Sequence, residues 1–256
     1  LLISIFSFFN IIYSYYFNLY LNLDSYIYSL IISFIFGLIF LIKKKDETKV
    51  DIYEKIITVI LGYLLLPIFL SIPYYFSIYN ITFTSAYFEA VSGFTSTGFS
   101  IFENIKHLDE SLILWRSSTQ WIGGLYFLFS VILLIDIFDV NIKKSLTNFL
   151  SFNTSETLKQ LFKILVLYSI LTMIIFIVLN ISGIRSFNSF NLAMTVISSG
   201  GFLPTNNLEI ILNTKIKQII LSFTMLISFF SLFLSYNLLT VKKKSMNFFQ
   251  EDSYLL

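Results

Sequence analysis

Two short segments of this chain place hydroxyl side chains directly before a glycine, and each segment lies between two long apolar runs. Their sequences are FEAVSGFTSTGFS at 88–100 and FNLAMTVISSGGF at 190–202. Glycine reaches backbone conformations that turn consecutive carbonyl groups to one side, and carbonyl oxygens around a pore replace the water of a dehydrating cation. Non-helical backbone at membrane depth is tolerated only where it is buried in protein or lines a cavity. The two segments therefore predict parts of a cation filter.

Aligning the segments on their glycines pairs identical residue types: Phe88 with Phe190, Ser96 with Ser198, and Gly98 with Gly200. The hydroxyl groups beside the glycines add oxygen ligands without bulk. The predicted filter residues are those of both hydroxyl–glycine runs: Thr95, Ser96, Thr97, Gly98, Phe99, Ser198, Ser199, Gly200 and Gly201. We expect the apolar stretch before each run to be a helix whose C-terminal dipole end favours a cation.

Three polar side chains near these segments are predicted to support the filter rather than to contact the ion. Arg116 lies in an apolar run, where charged residues usually find a partner, and Glu89 in the first segment is the candidate. If they pair, exchanging the two charges should restore what either single neutralisation loses. Two alternatives stay open, an Arg116 that extends to the membrane interface and a Glu89 that attracts cations at the pore mouth. Gln120, one turn after Arg116, either hydrogen-bonds the pore loop or packs between helices.

Four neighbours of Arg116 and Gln120 have structural interpretations. Trp115 and Trp121 are interpreted as packing or membrane-interface aromatics. Gly123 and Gly124 are interpreted as positions that permit close helix approach, with a hinge as the less favoured alternative.

The composition indicates a protein of the lipid bilayer. Hydrophobic residues make up 56% of the 256 residues and charged residues 12%, about half of the ~25% usual in a soluble domain. The absence of cysteine excludes thiolate metal sites and disulfides within the chain. No metalloprotease, nucleophile-elbow, Walker or dinucleotide motif occurs, which disfavours an intramembrane enzyme. Basic residues form short clusters at predicted helix ends, which does not support nucleic-acid binding.

Apolar runs along the chain predict six spanning helices. Each run is near the roughly 20 residues that cross a bilayer, and the runs lie at 1–21, 26–42, 56–78, 112–136, 161–182 and 216–240. Two shorter apolar stretches, 85–95 and 187–197, end in the glycine segments and are predicted to be re-entrant pore helices. The predicted fold class is an all-α integral membrane protein built from helix–pore-loop–helix repeats.

The positions of the lysines predict how these helices are oriented in the membrane. Six crossings put all the lysine clusters on one side: Lys43, Lys44, Lys45, Lys49 and Lys55, then Lys143, Lys144 and Lys159, then Lys242, Lys243 and Lys244. The positive-inside rule makes that side cytoplasmic, so both glycine segments are predicted to enter the membrane from outside.

An internal repeat of about 100 residues organises the chain, because 56–136 and 161–240 share the plan of helix, re-entrant hairpin and helix. We predict an extra transmembrane hairpin over 1–45, a first repeat over 46–145 and a second repeat over 146–245. The tail, 246–256, is interpreted as the start of a truncated third repeat.

These residues resemble a known family. The stretch 88–98, followed by LWRSSTQWIGG at 114–124, closely resembles the first repeat of the Trk/Ktr/HKT potassium-transporter superfamily, nearest to its TrkH members. The SSGGF stretch at 198–202 resembles that family's second filter. The resemblance implies a pore of four repeats, with potassium held by the backbone carbonyls of Thr97, Gly98, Ser199 and Gly200. It also implies that glycine rather than serine at the filter position favours potassium over sodium.

The resemblance further implies passive potassium uptake across a bacterial inner (plasma) membrane, with no cofactor in this chain. The implied partners are the lipid bilayer, a second copy of the subunit in a homodimer, and a cytosolic nucleotide-binding regulatory subunit of the TrkA/KtrA type.

Family members carry four repeats, whereas this chain has two. The favoured interpretation is the amino-terminal half of a TrkH-like subunit, which requires the remaining two repeats of the same subunit. The alternative is a half-size potassium channel, in which two copies supply the four repeats.

Overall fold

The computed structural model describes residues 1–42, 52–134 and 157–239. Within these ranges the longer elements are helices, and no strand occurs there. They are, in chain order, α1 (Leu2–Tyr16), α2 (Leu23–Ile42), α3 (Ile52–Ser77), α4 (Phe83–Phe94), α5 (Glu110–Leu134), α6 (Thr157–Ile181), α7 (Ser186–Ile197), α8 (Leu208–Ile211) and α9 (Lys215–Leu239). Short 3-10 turns, Tyr20–Asn22 and Ile105–His107, precede α2 and α5. The predicted all-α class is confirmed for the described residues.

Three stretches in this part of the chain are long and apolar enough to cross a membrane: Tyr20–Phe40, Ile52–Ser77 and Leu161–Ile181. α5 and α9 are 25 residues long, or roughly 37 Å at 1.5 Å per residue, against a hydrocarbon core of about 30 Å. In α5 a buried polar stretch, 116–120, lowers the hydropathy. The six membrane crossings therefore stay a prediction. Three of the described stretches support it by both their length and their composition.

Serines line the contact between α1 and α2, where small side chains let two helices approach closely. Ser7 Oγ donates to Ser29 Oγ at 3.0 Å, and both residues are fully buried. Hydrogen bonds attach this hairpin to the start of α5, among them one from Asn22 Nδ2 to Asp109 Oδ2 at 2.7 Å and one from Tyr26 Oη to Ser111 Oγ at 3.3 Å. The first two helices thus pack against the rest of the protein rather than standing apart.

The rest of the described chain forms two similar units, α3–α4–α5 and α6–α7–α9. Each contains a helix of 12 residues, α4 or α7, between two longer ones. The residues that precede and follow these short helices recur 103 residues apart (82 to 185 and 95 to 198). The two units therefore share the order of their helices and also have similar local structure around the two glycine segments.

α5 lies at the centre of the packing, because it contacts α1, α3, α4, α6 and α7. This position brings one face of α5 against both short helices and the segments that follow them. The orienting lysines at 43–49, 143–144 and 242–244 and the tail 246–256 lie outside the described residues.

Candidate ion-filter site

The two glycine segments leave their helices along the same backbone path. α4 ends at Phe94 and α7 at Ile197, and two residues later Ser96 and Ser199 have φ angles of 55° and 53°. The left-handed region is costly for residues with a Cβ, so the agreement between the two serines indicates a shared, tertiary constraint. In both segments a backbone N–H then folds back onto the preceding helix.

Hydrogen bonds give the register of the two segments. Thr97 N donates to Ser92 O at 3.0 Å, and Gly200 N donates to Thr195 O at 2.8 Å. The side chains of the same acceptor residues close each segment, because Ser92 Oγ donates to Phe99 O at 2.5 Å and Thr195 Oγ1 donates to Phe202 O at 3.0 Å. The matching residues of the two segments are all 103 residues apart, which is also the spacing between the ends of the two short helices.

The alignment of Gly98 with Gly200 is therefore wrong by one residue. The structural counterpart of Gly98 is Gly201, and the counterpart of Thr97 is Gly200. The second segment contains two adjacent glycines, so matching residue types favoured the pair 102 residues apart, whereas the backbone hydrogen bonds follow the pair 103 residues apart.

Gly98 and Gly201 are in direct backbone contact. A Cβ placed on Gly98 would lie 2.5 Å from Gly201 Cα, and a Cβ placed on Gly201 would lie 3.1 Å from Gly98 Cα. Gly98 also has a φ of +81°, which residues with a side chain rarely adopt. The two segments thus meet at the C-terminal ends of two short helices, where the partial negative charge of the helix dipole favours a cation.

One face of the paired segments is open. Its exposed residues come from both segments: Thr95, Thr97, Phe99, Ser199 and Gly201. Carbonyl and hydroxyl oxygens of this kind can bind a partly dehydrated cation. The open face leaves these residues accessible to solvent in the described part of the chain.

A buried ion pair lies behind the first segment. Arg116 Nε donates to Glu89 Oε1 at 2.9 Å, and the two side chains are 2% and 0% exposed. Glu89 also accepts from Ile101 N and Ser100 Oγ, each at 3.0 Å, and Arg116 Nη2 donates to Ser100 Oγ at 2.9 Å. The predicted pairing is confirmed. Burial of both side chains argues against the two alternatives, an Arg116 that extends to the membrane interface and a Glu89 that attracts cations at the pore mouth.

Arg116 contacts the second segment as well. Its guanidinium carbon lies 4.2 Å from the ring centroid of Phe202, within the range of a cation–π interaction. Phe202 is almost fully buried and directly follows Gly201. One arginine therefore holds the glutamate of the first segment and the phenylalanine of the second.

Gln120 binds the second segment, one turn along α5 from Arg116. With the amide oriented by its hydrogen-bonding partners, Oε1 accepts from Gly201 N and Phe202 N at 2.9 Å each, and Nε2 donates to Thr195 Oγ1 at 3.1 Å. A Cβ on Gly200 would clash with this amide. The predicted hydrogen bond to a glycine segment is confirmed, although the segment is that of the other unit, which spacing along the chain could not indicate.

The glycine pair of α5 faces the two short helices. A Cβ on Gly123 would clash with the carbonyl oxygen of Phe94, and a Cβ on Gly124 would lie 2.9 Å from Ser198 Cβ. The predicted close approach is confirmed, and the partners are the ends of α4 and α7. Among the aromatics, Trp115 Nε1 donates to Leu70 O at 3.0 Å and Trp121 Nε1 donates to Thr172 Oγ1 at 2.9 Å, so both pack inside the protein.

Comparison with known proteins identifies the family. The model of the TrkH family, described as a cation transport protein, matches residues 24–256. This chain belongs to the TrkH family. It is 30% identical over 216 residues to an uncharacterized cation transporter of Methanocaldococcus jannaschii, covering 79% of this chain and 43% of that protein. It is 26% identical over 169 residues to the Trk system potassium uptake protein TrkH of Escherichia coli K12, covering 62% and 34%.

A solved structure of this family has the same fold. The potassium transporter TrkH from Vibrio parahaemolyticus superposes with a TM-score of 0.73 at 19% identity, covering 91% of this chain and 50% of that one. The chain spans less than half the length of the curated TrkH-family relatives it matches.

Sequence reasoning missed three groups of residues at this TrkH-family site. Ser92 and Thr195 close the two segments, and their common signal is a hydroxyl residue six positions before Gly98 and six positions before Gly201. Phe202 contacts the guanidinium group of Arg116. Asn104 and Asn206 join the loops beyond the segments, because Asn206 Nδ2 donates to Asn104 Oδ1 and Asn206 Oδ1 accepts from Ile105 N, both at 2.7 Å.

Replacing Gln120 tests the support of the second segment. Gln120→Leu removes the acceptor of the Gly201 and Phe202 N–H groups, at a cost of roughly 1–3 kcal/mol for the buried Phe202, whereas Gln120→Glu keeps an acceptor oxygen for both. We expect the leucine variant to unfold at a clearly lower temperature than the glutamate variant, measured by fluorescence-detected size exclusion after heating. Equal losses would contradict the acceptor role of the side chain.

Proposed function

We propose that this chain forms part of a potassium uptake pathway, in which the glycine segments supply backbone carbonyls to an ion filter. The observation that carries the proposal is the contact between Gly98 and Gly201 at the ends of two short helices. With the corrected register, the ion-binding carbonyls are those of Thr97 and Gly98 and of their counterparts Gly200 and Gly201, with Ser199 beside them. The E. coli and Vibrio relatives named as potassium transporters support the choice of ion.

Glu89, Arg116 and Gln120 act as supports for the filter and do not contact the ion. Their burial and hydrogen bonds argue for this role, because each holds backbone or aromatic groups of a segment in place. A rigid filter is needed since the carbonyls must replace water at a fixed geometry. All the energy for uptake can come from the membrane potential, because 100 mV contributes about 2.3 kcal/mol per monovalent cation, or roughly fiftyfold accumulation.

The membrane arrangement in this proposal has six crossings, with both short helices re-entrant and the filter open to the outside of a bacterial plasma membrane. The domain plan is a hairpin over 1–45 and repeats over 46–145 and 146–245. The α3–α4–α5 and α6–α7–α9 units, with their matching hydrogen bonds, support the two repeats.

A complete pore requires further repeats. The open face of the paired segments supports this requirement. The relatives that the chain matches are about twice as long, which supports the same subunit as the source of the further repeats. A homodimer and a cytosolic nucleotide-binding regulator of the TrkA/KtrA type belong to the same proposal. They follow from the family and not from a contact seen here.

Uptake of rubidium-86 tests the function. The purified, monodisperse 256-residue chain and a Gly98→Asp variant are reconstituted in liposomes with an inside-negative potential. Uptake that the variant loses would support a filter completed by a second copy, as in a half-size channel. If the chain alone takes up nothing, the same pair is measured with the two missing repeats of a TrkH relative joined to it. Uptake that Gly98→Asp leaves unchanged there would contradict the filter assignment.

A further inference from the structure

A cleft of about 630 Å³ opens between α1, α5, α6 and α7, within the roughly 300–1,000 Å³ typical of ligand sites. Its walls are mostly apolar and include Phe6, Leu114 and Met194. The side chains at its mouth are exposed, with Phe9 57% and Met173 51% accessible. In the membrane arrangement proposed above, on which this inference rests, such a mouth opens to lipid.

Most of the polar side chains in the cleft use a hydrogen-bond donor inside the protein. Asn10 Nδ2 donates to Phe6 O at 3.0 Å, and Ser118 Oγ and Ser169 Oγ each donate at 2.8 Å to the carbonyl four residues before them. Thr172 Oγ1 donates to Tyr168 O at 2.7 Å and accepts from Trp121 Nε1. Asn10 Oδ1 is buried without a partner, a single acceptor in a wall that is otherwise mostly apolar. Because a buried water needs about 2–4 polar partners, most of this cleft favours an apolar occupant.

One end of the cleft is charged. Tyr13, which lines the cleft, donates from Oη to Glu110 Oε2 at 2.9 Å, and Arg185 Nη2 donates to Glu110 Oε1 at 2.8 Å. The Arg185 side chain is 66% exposed, and Phe187 lies between it and the Tyr13 ring. A guanidinium has five N–H donors, so Arg185 can bind an anionic group while it remains paired with Glu110.

An apolar cleft that ends at an exposed arginine is complementary to a lipid with an anionic head. We propose that the cleft binds one acyl chain of a membrane phospholipid, with the lipid phosphate beside Arg185. Met194 and Phe190 of α7 line the cleft, and α7 leads directly into the second glycine segment. The bound chain therefore packs behind the helix that positions Ser199, Gly200 and Gly201.

The two tryptophans of the chain provide the test. Trp121 lines the cleft, whereas Trp115 is fully buried against Leu70 and Tyr26 and does not line it. Each variant, Trp115→Phe or Trp121→Phe, leaves one fluorophore. In bilayers of phosphatidylglycerol brominated on the acyl chain, bromine quenches a tryptophan that it contacts. We expect strong quenching in Trp115→Phe, which reports Trp121, and little in Trp121→Phe. Equal quenching of the two would overturn the proposal.

A filling substitution separates the cleft from the surrounding lipid. Added to Trp115→Phe, Ser169→Phe places a ring in the cleft and should remove most of the quenching. Ser222→Phe is the matched control, because Ser222 also donates to the carbonyl four residues earlier but is exposed on α9. Quenching that survives Ser169→Phe, or that falls as the protein-to-lipid ratio rises, would overturn the proposal. The second result would assign the cleft to another copy of the chain.

The headgroup is tested with brominated diacylglycerol, which has the same acyl chains and no phosphate. We expect less quenching by diacylglycerol than by phosphatidylglycerol, and Arg185→Gln should remove the difference. Equal quenching by both lipids in the protein with Arg185 would overturn the assignment of the phosphate. No ion flux is measured, so failure of this proposal and failure of the filter proposal are distinguishable.

Discussion

Replacing Gly98 with alanine is expected to reduce rubidium uptake by the complete transporter at least about tenfold, the effect of ~1.4 kcal/mol at the rate-limiting step. Two costs add at this position. A residue with a Cβ in the left-handed region costs roughly 1–2 kcal/mol, and the Cβ would displace Gly201, whose Cα would lie 2.5 Å away. The second cost changes the geometry of both segments together. For the same reason, Gly98→Ser should lose flux and not only selectivity for potassium over sodium.

Substitutions at two further glycines distinguish the cost of the positive φ from the cost of the Cβ contact. Gly183 has nearly the same φ, +84°, but a Cβ there would meet nothing closer than Lys217 Cε at 4.0 Å. Gly183→Ala should therefore keep most of the uptake. Gly201→Ala lacks the strain of a positive φ but places its Cβ 3.1 Å from Gly98 Cα, so its loss should fall between the other two. Equal uptake by Gly98→Ala and Gly183→Ala would contradict the importance of the contact.

Replacing Arg116 with methionine is expected to lower the free energy of unfolding by roughly 3–5 kcal/mol, the usual cost of leaving a buried charge without its partner. The change removes the Glu89 ion pair and the contact with the Phe202 ring at once. Arg185→Met is the matched control, because it breaks an arginine–glutamate pair whose side chains are 66% and 33% exposed. Exposed pairs contribute at most about 1 kcal/mol. Thermal unfolding of the purified proteins in detergent measures both, and similar losses would contradict the structural role of the buried pair.

The structure revises the expected result of exchanging the two charges. An arginine at position 89 cannot accept the Ile101 N–H, which Glu89 accepts at 3.0 Å, and a glutamate at position 116 cannot make the cation–π contact with Phe202. Glu89→Arg combined with Arg116→Glu should therefore leave most of the loss in place. Full recovery would show that opposite charges alone are sufficient there.

The importance of these residues follows from the position of α5. One helix presents Arg116, Gln120, Gly123 and Gly124 to both glycine segments, although α5 belongs to the first repeat alone. A single rigid element thus sets the distance between two parts of the proposed filter. A substitution on this face of α5 should affect both segments, which distinguishes it from substitutions on α4 or α7.

Much of this arrangement could be predicted from local sequence. The short helices α4 and α7 were expected at 85–95 and 187–197 and lie at Phe83–Phe94 and Ser186–Ile197. The ion pair between Glu89 and Arg116 was also predictable, because a buried charge needs a partner and the chain offered one nearby.

Other features depend on contacts between parts of the chain that are far apart in sequence. The partner of Gln120 is the segment about 80 residues later, and the register of the repeat is 103 rather than 102. Residue types alone favoured the wrong glycine pair because the second segment has two glycines in succession. Backbone hydrogen bonds choose between them, and those bonds form only once each segment has folded back onto its helix.

By itself, the sequence determined the helical class, the membrane character and the two positions where helices end in hydroxyl and glycine residues. These features arise from hydrophobic runs and backbone preferences that act over a few neighbouring residues. Only the tertiary structure decided that Gly98 contacts Gly201, that α5 supports both segments and that an apolar cleft lies behind α7. Such contacts depend on how the helices pack, and that packing is set by the shapes of many side chains together rather than by any local pattern.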